Sequence, residues 1–313
     1  MKIILKSKKN YICTIAIGNS HYKIWKKYIL PSWKIYCKKN SIGIIVFKNH
    51  LVDKKNPYWK KPTWQKMLIG SEILKKKIKA ENICYLDTDI LINPLSPNIF
   101  LFHKKNRISL VSSRKKLPYD YFDVSKRVSF YRREHYRKNY PLNSSMLFNN
   151  NQTYRFHNLR PMQDEACMGL FIFNLKLFSK KMNDWFYKYR RDVQSFTGGG
   201  DQIHFNYEIQ KSCKVNWLDY RFQILWYFEM AKYYPFLYER KIQKNLIKKC
   251  ILSSLRRSYF IHFSGSWGEG KIYQKVRFKK KELYNFKLKK FNEYLNKKIK
   301  AVSRGRILPK RII

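Results

Sequence analysis

Tyr85-Leu86-Asp87-Thr88-Asp89-Ile90-Leu91-Ile92 sets two carboxylates into an otherwise apolar run. Strand side chains alternate between faces, so positions i and i+2 project to one side. The run predicts a buried strand leading into a turn, with Asp87 and Asp89 side by side. Like charges in a partly buried place repel each other unless a cation lies between them, and a divalent metal ion is the simplest candidate. The charge balance sharpens this reading. The chain has 67 Lys+Arg against 20 Asp+Glu, a formal net charge of +47, and it spends two of its scarce acids within three residues.

Upstream of this stretch, Tyr11 to Ile17 is an apolar, β-branched run closed by Gly18-Asn19, and Ile42 to Phe47 is a second one. Between them, Tyr22 to Tyr36 carries apolar residues at helical spacing, with Pro31 marking a kink or break. Thr63 to Lys77 reads as another helix. This alternation predicts an α/β fold with a mostly parallel central sheet flanked by helices, and ligands gather beyond the carboxyl ends of such strands. Asp87 and Asp89 fall at that end.

Downstream, Ile108 to Ser112 and Gly169 to Asn174 read as strands, and Leu175 to Tyr189 as a helix. Residues 113–165 are polar, basic and tyrosine-rich, and are expected to form a long excursion over the active-site side with short helices. Gly198-Gly199-Gly200 is a flexible approach to a helix over Ile203 to Ile209, and a short strand is expected near Val215 to Leu218. Aromatic helical segments follow Phe222, then Tyr259 to Phe263. The expected division is a catalytic domain over 1–270 and a basic tail over 271–313. In that tail Leu283, Phe286, Phe291, Tyr294, Leu295, Ile299 and Val302 fit an amphipathic helix with a lysine face.

With 313 residues and 44% hydrophobic content the chain can bury a sizeable core. The positive charge favours anionic partners: nucleic acid, an acidic membrane surface or phosphorylated substrates. Six scattered cysteines without a Cys-x-x-Cys pair read as reduced core thiols. No run of about 20 apolar residues occurs, and Ile3-Ile4-Leu5 is too short for a signal-peptide core. A cytoplasmic location, or one peripheral to a membrane, is expected.

Three stretches together carry a family resemblance. Tyr85 to Ile92 resembles the Asp-x-Asp strand of GT-A glycosyltransferases. Asp201-Gln202-Ile203-His204-Phe205-Asn206 resembles the Asp-Gln-x-x-x-Asn segment of the retaining glycogenin and lipopolysaccharide-galactosyltransferase-like family. His262-Phe263-Ser264-Gly265 resembles that family's C-terminal His-x-x-Gly. The resemblance implies a GT-A-like (Rossmann-like) fold and a metal, Mn²⁺ or Mg²⁺, held by Asp87, Asp89 and His262. It implies a nucleotide-sugar donor, with a UDP-sugar favoured, and a saccharide or lipid-linked acceptor, in surface polysaccharide or lipopolysaccharide synthesis. Ile17, Gly18, Asn19, Lys66, Asp87, Thr88, Asp89, Gly265 and Lys271 make up the implied donor-binding set, with Lys66 and Lys271 as cations for the departing diphosphate. Asp201 and Gln202 are the implied catalytic pair.

The chain also departs from the pattern. Cys167-Met168-Gly169 stands where the family has Asn-x-Gly, and Trp267-Gly268-Glu269-Gly270-Lys271 where it has Lys-Pro-Trp. Other readings stay open at this stage. Asp201 could act as a helix N-cap, and His262 as a satisfied core histidine. Asp201 as general base would suit inversion of the sugar, while proton transfer to the leaving phosphate would suit retention. A basic nucleic-acid-binding protein and a metal-dependent nucleotidyltransferase are the rival functions. The first leaves Asp87, Asp89 and His262 unexplained, so no nucleic-acid partner is favoured. The basic tail and Leu225-Trp226-Tyr227-Phe228 are expected to touch an anionic membrane.

Overall fold

A computed structural model describes residues 1–141, 145–197, 200–239 and 242–283 of the chain. The sequence runs predicted as strands form a seven-stranded sheet: β1 (Lys2–Leu5), β2 (Asn10–Ile15), β3 (Gly43–Phe47), β4 (Asn82–Leu86), β6 (Ile108–Ser112), β7 (Ala166–Asn174) and β8 (Val215–Leu218). Their order is β1-β3-β2-β4-β7-β6-β8. β3, β2, β4, β6 and β8 run one way, while β1 and β7 pair antiparallel with their neighbours. The mostly parallel sheet is therefore as predicted. The reversal of β7 is an addition to that expectation, and it decides the site.

Alternation along the strands divides the core between the two faces of the sheet. Ile12, Ile44, Cys84, Leu86, Leu170 and Ile172 belong to one apolar cluster. Tyr11, Cys13, Ile45, Ile83, Tyr85, Phe171 and Phe173 belong to the other. Helices cover both clusters, so the strands are buried on both sides and read as continuous apolar runs. All six cysteines are free, and five of them are buried.

The break expected at Pro31 is present. The helix Asn19–Ile24 passes into a π-helical turn, Trp25–Ile29, before the helix Leu30–Lys39 begins with Pro31 in its first turn. Proline lacks the N–H for the regular ladder and its ring crowds the preceding turn, so the wider turn relieves both. Across this junction the Ser32 hydroxyl donates to the Ile29 carbonyl (2.8 Å) and accepts from the Ile92 N–H (3.2 Å). Trp33 Nε1 donates to the Ile90 carbonyl (2.7 Å). The helix thereby fixes the segment just beyond Asp89.

That segment starts a second, three-stranded sheet made of β5 (Ile90–Ile92), β9 (Ile224–Leu225) and β10 (Phe260–His262). β10 lies between antiparallel β5 and parallel β9, and its register sets His262 opposite both Ile90 and Leu225.

The excursion after β6 is more helical than its sequence suggests. Tyr121–His135 is a 15-residue helix, and Asn150–Phe156 is a helix closed by a capping box from Asn149 and Gln152. Packing continues past residue 270: Ile272, Tyr273, Val276 and Leu283 are buried in the first cluster. The rest of the predicted tail helix, from Phe286 onward, lies outside the described residues, as do Gly198 and Gly199. Among the described residues no helix is long and apolar enough to cross a membrane.

Candidate metal centre and adjoining cleft

Asp87 and Asp89 do not sit on a strand. β4 ends at Leu86 and β5 begins at Ile90, so both aspartates belong to the turn between them. It is this turn, not pleat alternation, that brings their carboxylates together, which corrects the strand reading. Two backbone bonds from other chain segments hold the turn. The Asp87 N–H donates to the Gly169 carbonyl at the end of the β4–β7 ladder (2.9 Å), and the Phe263 N–H donates to the Asp89 carbonyl (3.1 Å).

The β10 register then delivers His262. Its Nε2 lies 3.2 Å from Asp89 Oδ1 and 3.6 Å from Asp87 Oδ2. One ligand atom from each of the three residues falls within 4.8 Å of the others. Behind the ring, Nδ1 faces the Gln223 amide at 3.1 Å and Cys167 Sγ at 3.5 Å. Burial opposes a charged imidazole here, while the Cys167 and Asp89 groups favour one more strongly, so the ring holds a proton well above the usual histidine range.

Gly169 makes this convergence possible. A Cβ at that position would lie 2.2 Å from His262 Cε1 and 2.8 Å from Asp87 Oδ2. The glycine is thus required by close approach, and it is the residue of the family's Asn-x-Gly that this chain keeps, Cys167 standing in place of the Asn.

On the other side of Asp87, the Tyr85 hydroxyl donates to Oδ1 (2.6 Å). The buried Lys66 ammonium donates to the Met168 carbonyl (2.8 Å) and lies 3.2 Å from Asp201 Oδ2 and 3.9 Å from Asp87 Oδ1. Lys66 is therefore a cation tied between two acids, not one free to face a diphosphate. Asp201 stands at the cap position of the helix Gln202–Ser212 but makes no capping bond, so the N-cap reading is corrected; its side chain turns toward Lys66. Burial pushes its carboxyl up to about 6 against the opposing effect of Lys66. The facing acids outweigh burial for Lys66 itself, whose ammonium is held above the usual lysine range.

The remaining predicted residues are spread around the same end of the sheet. Ile17, Gly18 and Asn19 follow β2, which pairs in parallel with β4, and Gly18 has a φ of 87°. Thr88 lies between the two aspartates. Gly265, with a φ of 99°, follows β10, and Lys271 is exposed at the end of the short helix Gly268–Lys271.

Gln202 lines a cleft of about 400 Å³, together with Cys167 and Ser264. The excursion after β6 forms its far wall. There Gln202 Nε2 donates to Glu165 Oε1 (2.5 Å), and the Arg114 guanidinium pairs with Glu165 Oε2 (2.7 Å). Sequence reasoning missed Glu165, Arg114, Cys167, Gln223 and Tyr85 as parts of the site. The scarcity of acids was a usable signal, because Glu165, Glu208, Glu229 and Glu269 are all buried and all paired with a basic side chain.

No protein-family model matches the chain, and neither does any curated protein. Among solved structures it is similar to a glycosyltransferase involved in glycosylation of the major capsid of PBCV-1. The TM-score is 0.44 at 8% identity, covering 84% of this chain and 97% of that one. It is also similar to the apo structure of the WbbM bifunctional glycosyltransferase, with a TM-score of 0.44 at 11% identity, covering 92% of this chain and 52% of that one. The chain thus matches about half the length of WbbM.

Proposed function

We propose that the protein is a metal-dependent glycosyltransferase, moving a sugar from a nucleoside-diphosphate donor to a saccharide or lipid-linked acceptor. The carrying observation is the meeting of Asp87, Asp89 and His262, from segments far apart in the chain, with ligand atoms within 4.8 Å of one another. Three features of the donor set fit a divalent ion. Two carboxylates suit hard Mn²⁺ or Mg²⁺, and the imidazole nitrogen suits Mn²⁺. Asp89 Oδ1 is buried, makes no hydrogen bond among the described residues and faces the His262 ring at 3.2 Å, a contact that a divalent ion bound to both groups would replace as the ring gives up its proton. Gly169 keeps clear the space that a Cβ would take.

When bound, such an ion would neutralise charge developing on a departing diphosphate. The residues around it have separable roles. Tyr85 and Lys66 hold Asp87 in its orientation. Gln223 and Cys167 fix the rotation of the His262 ring from behind. Exposed Lys271 and the Gly265 backbone are available to phosphate oxygens, and residues 17–19 to the rest of the donor. Asp201 is committed to Lys66 and does not line the cleft, whereas Gln202 does. This arrangement favours proton transfer from the acceptor to the leaving phosphate, and hence retention, over Asp201 as general base. The preference for a UDP-sugar, the setting in surface polysaccharide or lipopolysaccharide assembly, and contact with an anionic membrane belong to the same reading and rest on the motif resemblance and the charge.

Incubation with UDP-, GDP- and CMP-sugars, with and without Mn²⁺, tests the proposal. Metal-dependent release of UDP, lost in Asp87→Asn, is the expected result. Release of pyrophosphate would assign nucleotidyl transfer instead, and salt-sensitive binding of RNA or DNA as the only activity would assign the nucleic-acid reading.

A further inference from the structure

The cleft beside the metal centre is matched in charge to a degree that the protein as a whole is not. We infer that the acceptor it receives is an uncharged saccharide, and that acidic or phosphorylated sugars are excluded. This rests on the sugar-transfer reading and names the second substrate.

A chain with 67 basic and 20 acidic residues would be expected to line any concave surface with free cations. Two arginines do line this one, and each is paired with a glutamate. Arg114 donates through Nε to Glu165 Oε2 (2.7 Å), through Nη1 to the Phe148 carbonyl (2.7 Å) and through Nη2 to Thr153 Oγ1 (3.0 Å). Arg132 donates through Nε to Glu269 Oε1 (2.6 Å) and through Nη1 to the Tyr140 hydroxyl (3.3 Å), and Glu269 is wholly buried. The second oxygen of Glu165 is occupied by the Gln202 amide. Among the described residues, then, the wall holds no cation without a carboxylate partner. A carboxylate or phosphate entering it would give up its hydration for groups already neutralised, and that desolvation is not returned.

The groups left to bind suit a neutral sugar. Phe148, Phe156 and Tyr227 line the cleft. Apolar ring faces combined with a few fixed polar groups can take a pyranose, which presents C–H faces and hydroxyl edges. The volume of about 400 Å³ falls in the range of small-ligand sites.

The test uses the full chain with Mn²⁺ and a mixture of UDP-glucose, UDP-galactose and UDP-N-acetylglucosamine. Acceptors are methyl glycosides of neutral hexoses, methyl glucuronide and methyl galacturonide, and hexose 6-phosphates. Transfer to at least one neutral glycoside is expected, with kcat/KM about 100-fold above the uronide of the same configuration. Glu165→Gln leaves Arg114 uncompensated and should raise the uronide-to-hexoside ratio about tenfold. Glu269→Gln does the same through Arg132 and serves if the first variant does not fold. Preference of the wild type for a uronide or phosphate, or no transfer to any neutral glycoside, overturns the inference. Slow hydrolysis of the donor to UDP, read in a separate arm without acceptor, shows whether the sugar-transfer reading survives. If that release is absent as well, both fall.

Discussion

Gly169→Ala should separate the three metal-binding side chains while leaving the backbone comfortable. The φ of Gly169 is not in the left-handed region, so alanine incurs no conformational strain there. The new methyl group would, however, sit 2.2 Å from His262 Cε1, 2.8 Å from Asp87 Oδ2 and 2.9 Å from His262 Nδ1. Ordinary contact begins near 3.4 Å, so the ring must retreat by more than an ångström, and its Nε2 leaves the two carboxylates. Overpacking of this kind costs about 1–3 kcal/mol of stability. The effect on metal binding is the more specific readout. Mn²⁺ at a hundredfold excess over its dissociation constant stabilises a native protein by about 2.7 kcal/mol; if the substitution weakens binding a hundredfold, the same concentration gives about 0.4 kcal/mol. At roughly 2–4 °C per kcal/mol for a chain approaching this size, a metal-induced rise in Tm of about 5–10 °C should shrink to about 1 °C. Differential scanning fluorimetry of both proteins across a Mn²⁺ series measures it. An alanine variant that keeps the full Mn²⁺-dependent shift would refute the reasoning, because the ligands would then not depend on the space beside Gly169.

Further outcomes follow from the buried charges. Lys66→Met leaves Asp201 and Asp87 without their cation and should cost about 3–5 kcal/mol in chemical denaturation, with Asp201→Asn in the same chain restoring much of the loss. The Asp201 carboxyl, raised from 3.8 to about 6, favours the folded state most below pH 3.8 and loses that contribution as pH rises through about 6. Wild type should therefore lose roughly 2–3 kcal/mol relative to Asp201→Asn over that window, in urea melts at successive pH values. Glu269→Ala strands the Arg132 guanidinium, which the pair holds above its usual range against burial, and should cost about 3–5 kcal/mol in the same melts.

The parts of this molecule that sequence reveals are those where one kind of side chain dominates a short segment. β2, β3, β4 and β6 are continuous β-branched or apolar runs because both sheet faces are covered, and Asp87 and Asp89 stand out against such a background. The small sheet of β5, β9 and β10 was not legible, since strands of two or three residues carry no period; yet its register is what delivers His262. The helix Tyr121–His135 was hidden because its inner face is built from Val124, Ser125, Val128, Ser129 and Arg132. Buried serines read as polar, and the arginine is buried only because Glu269, far along the chain, pairs with it. Lys66 misled for the same reason. A lysine in sequence reads as an exposed cation, and only the fold shows that Asp201 and the Met168 carbonyl enclose it. The turn holding Asp87 and Asp89 depends likewise on the Gly169 and Phe263 backbone, which no local pattern announces.

Titration of the protein with Mn²⁺, read by electron paramagnetic resonance of the free ion, tests the central claim most directly. One ion bound per chain is expected, with binding lost in Asp89→Asn and in His262→Ala. Full stoichiometry and unchanged affinity in either variant would contradict the assignment of Asp87, Asp89 and His262 as the metal centre.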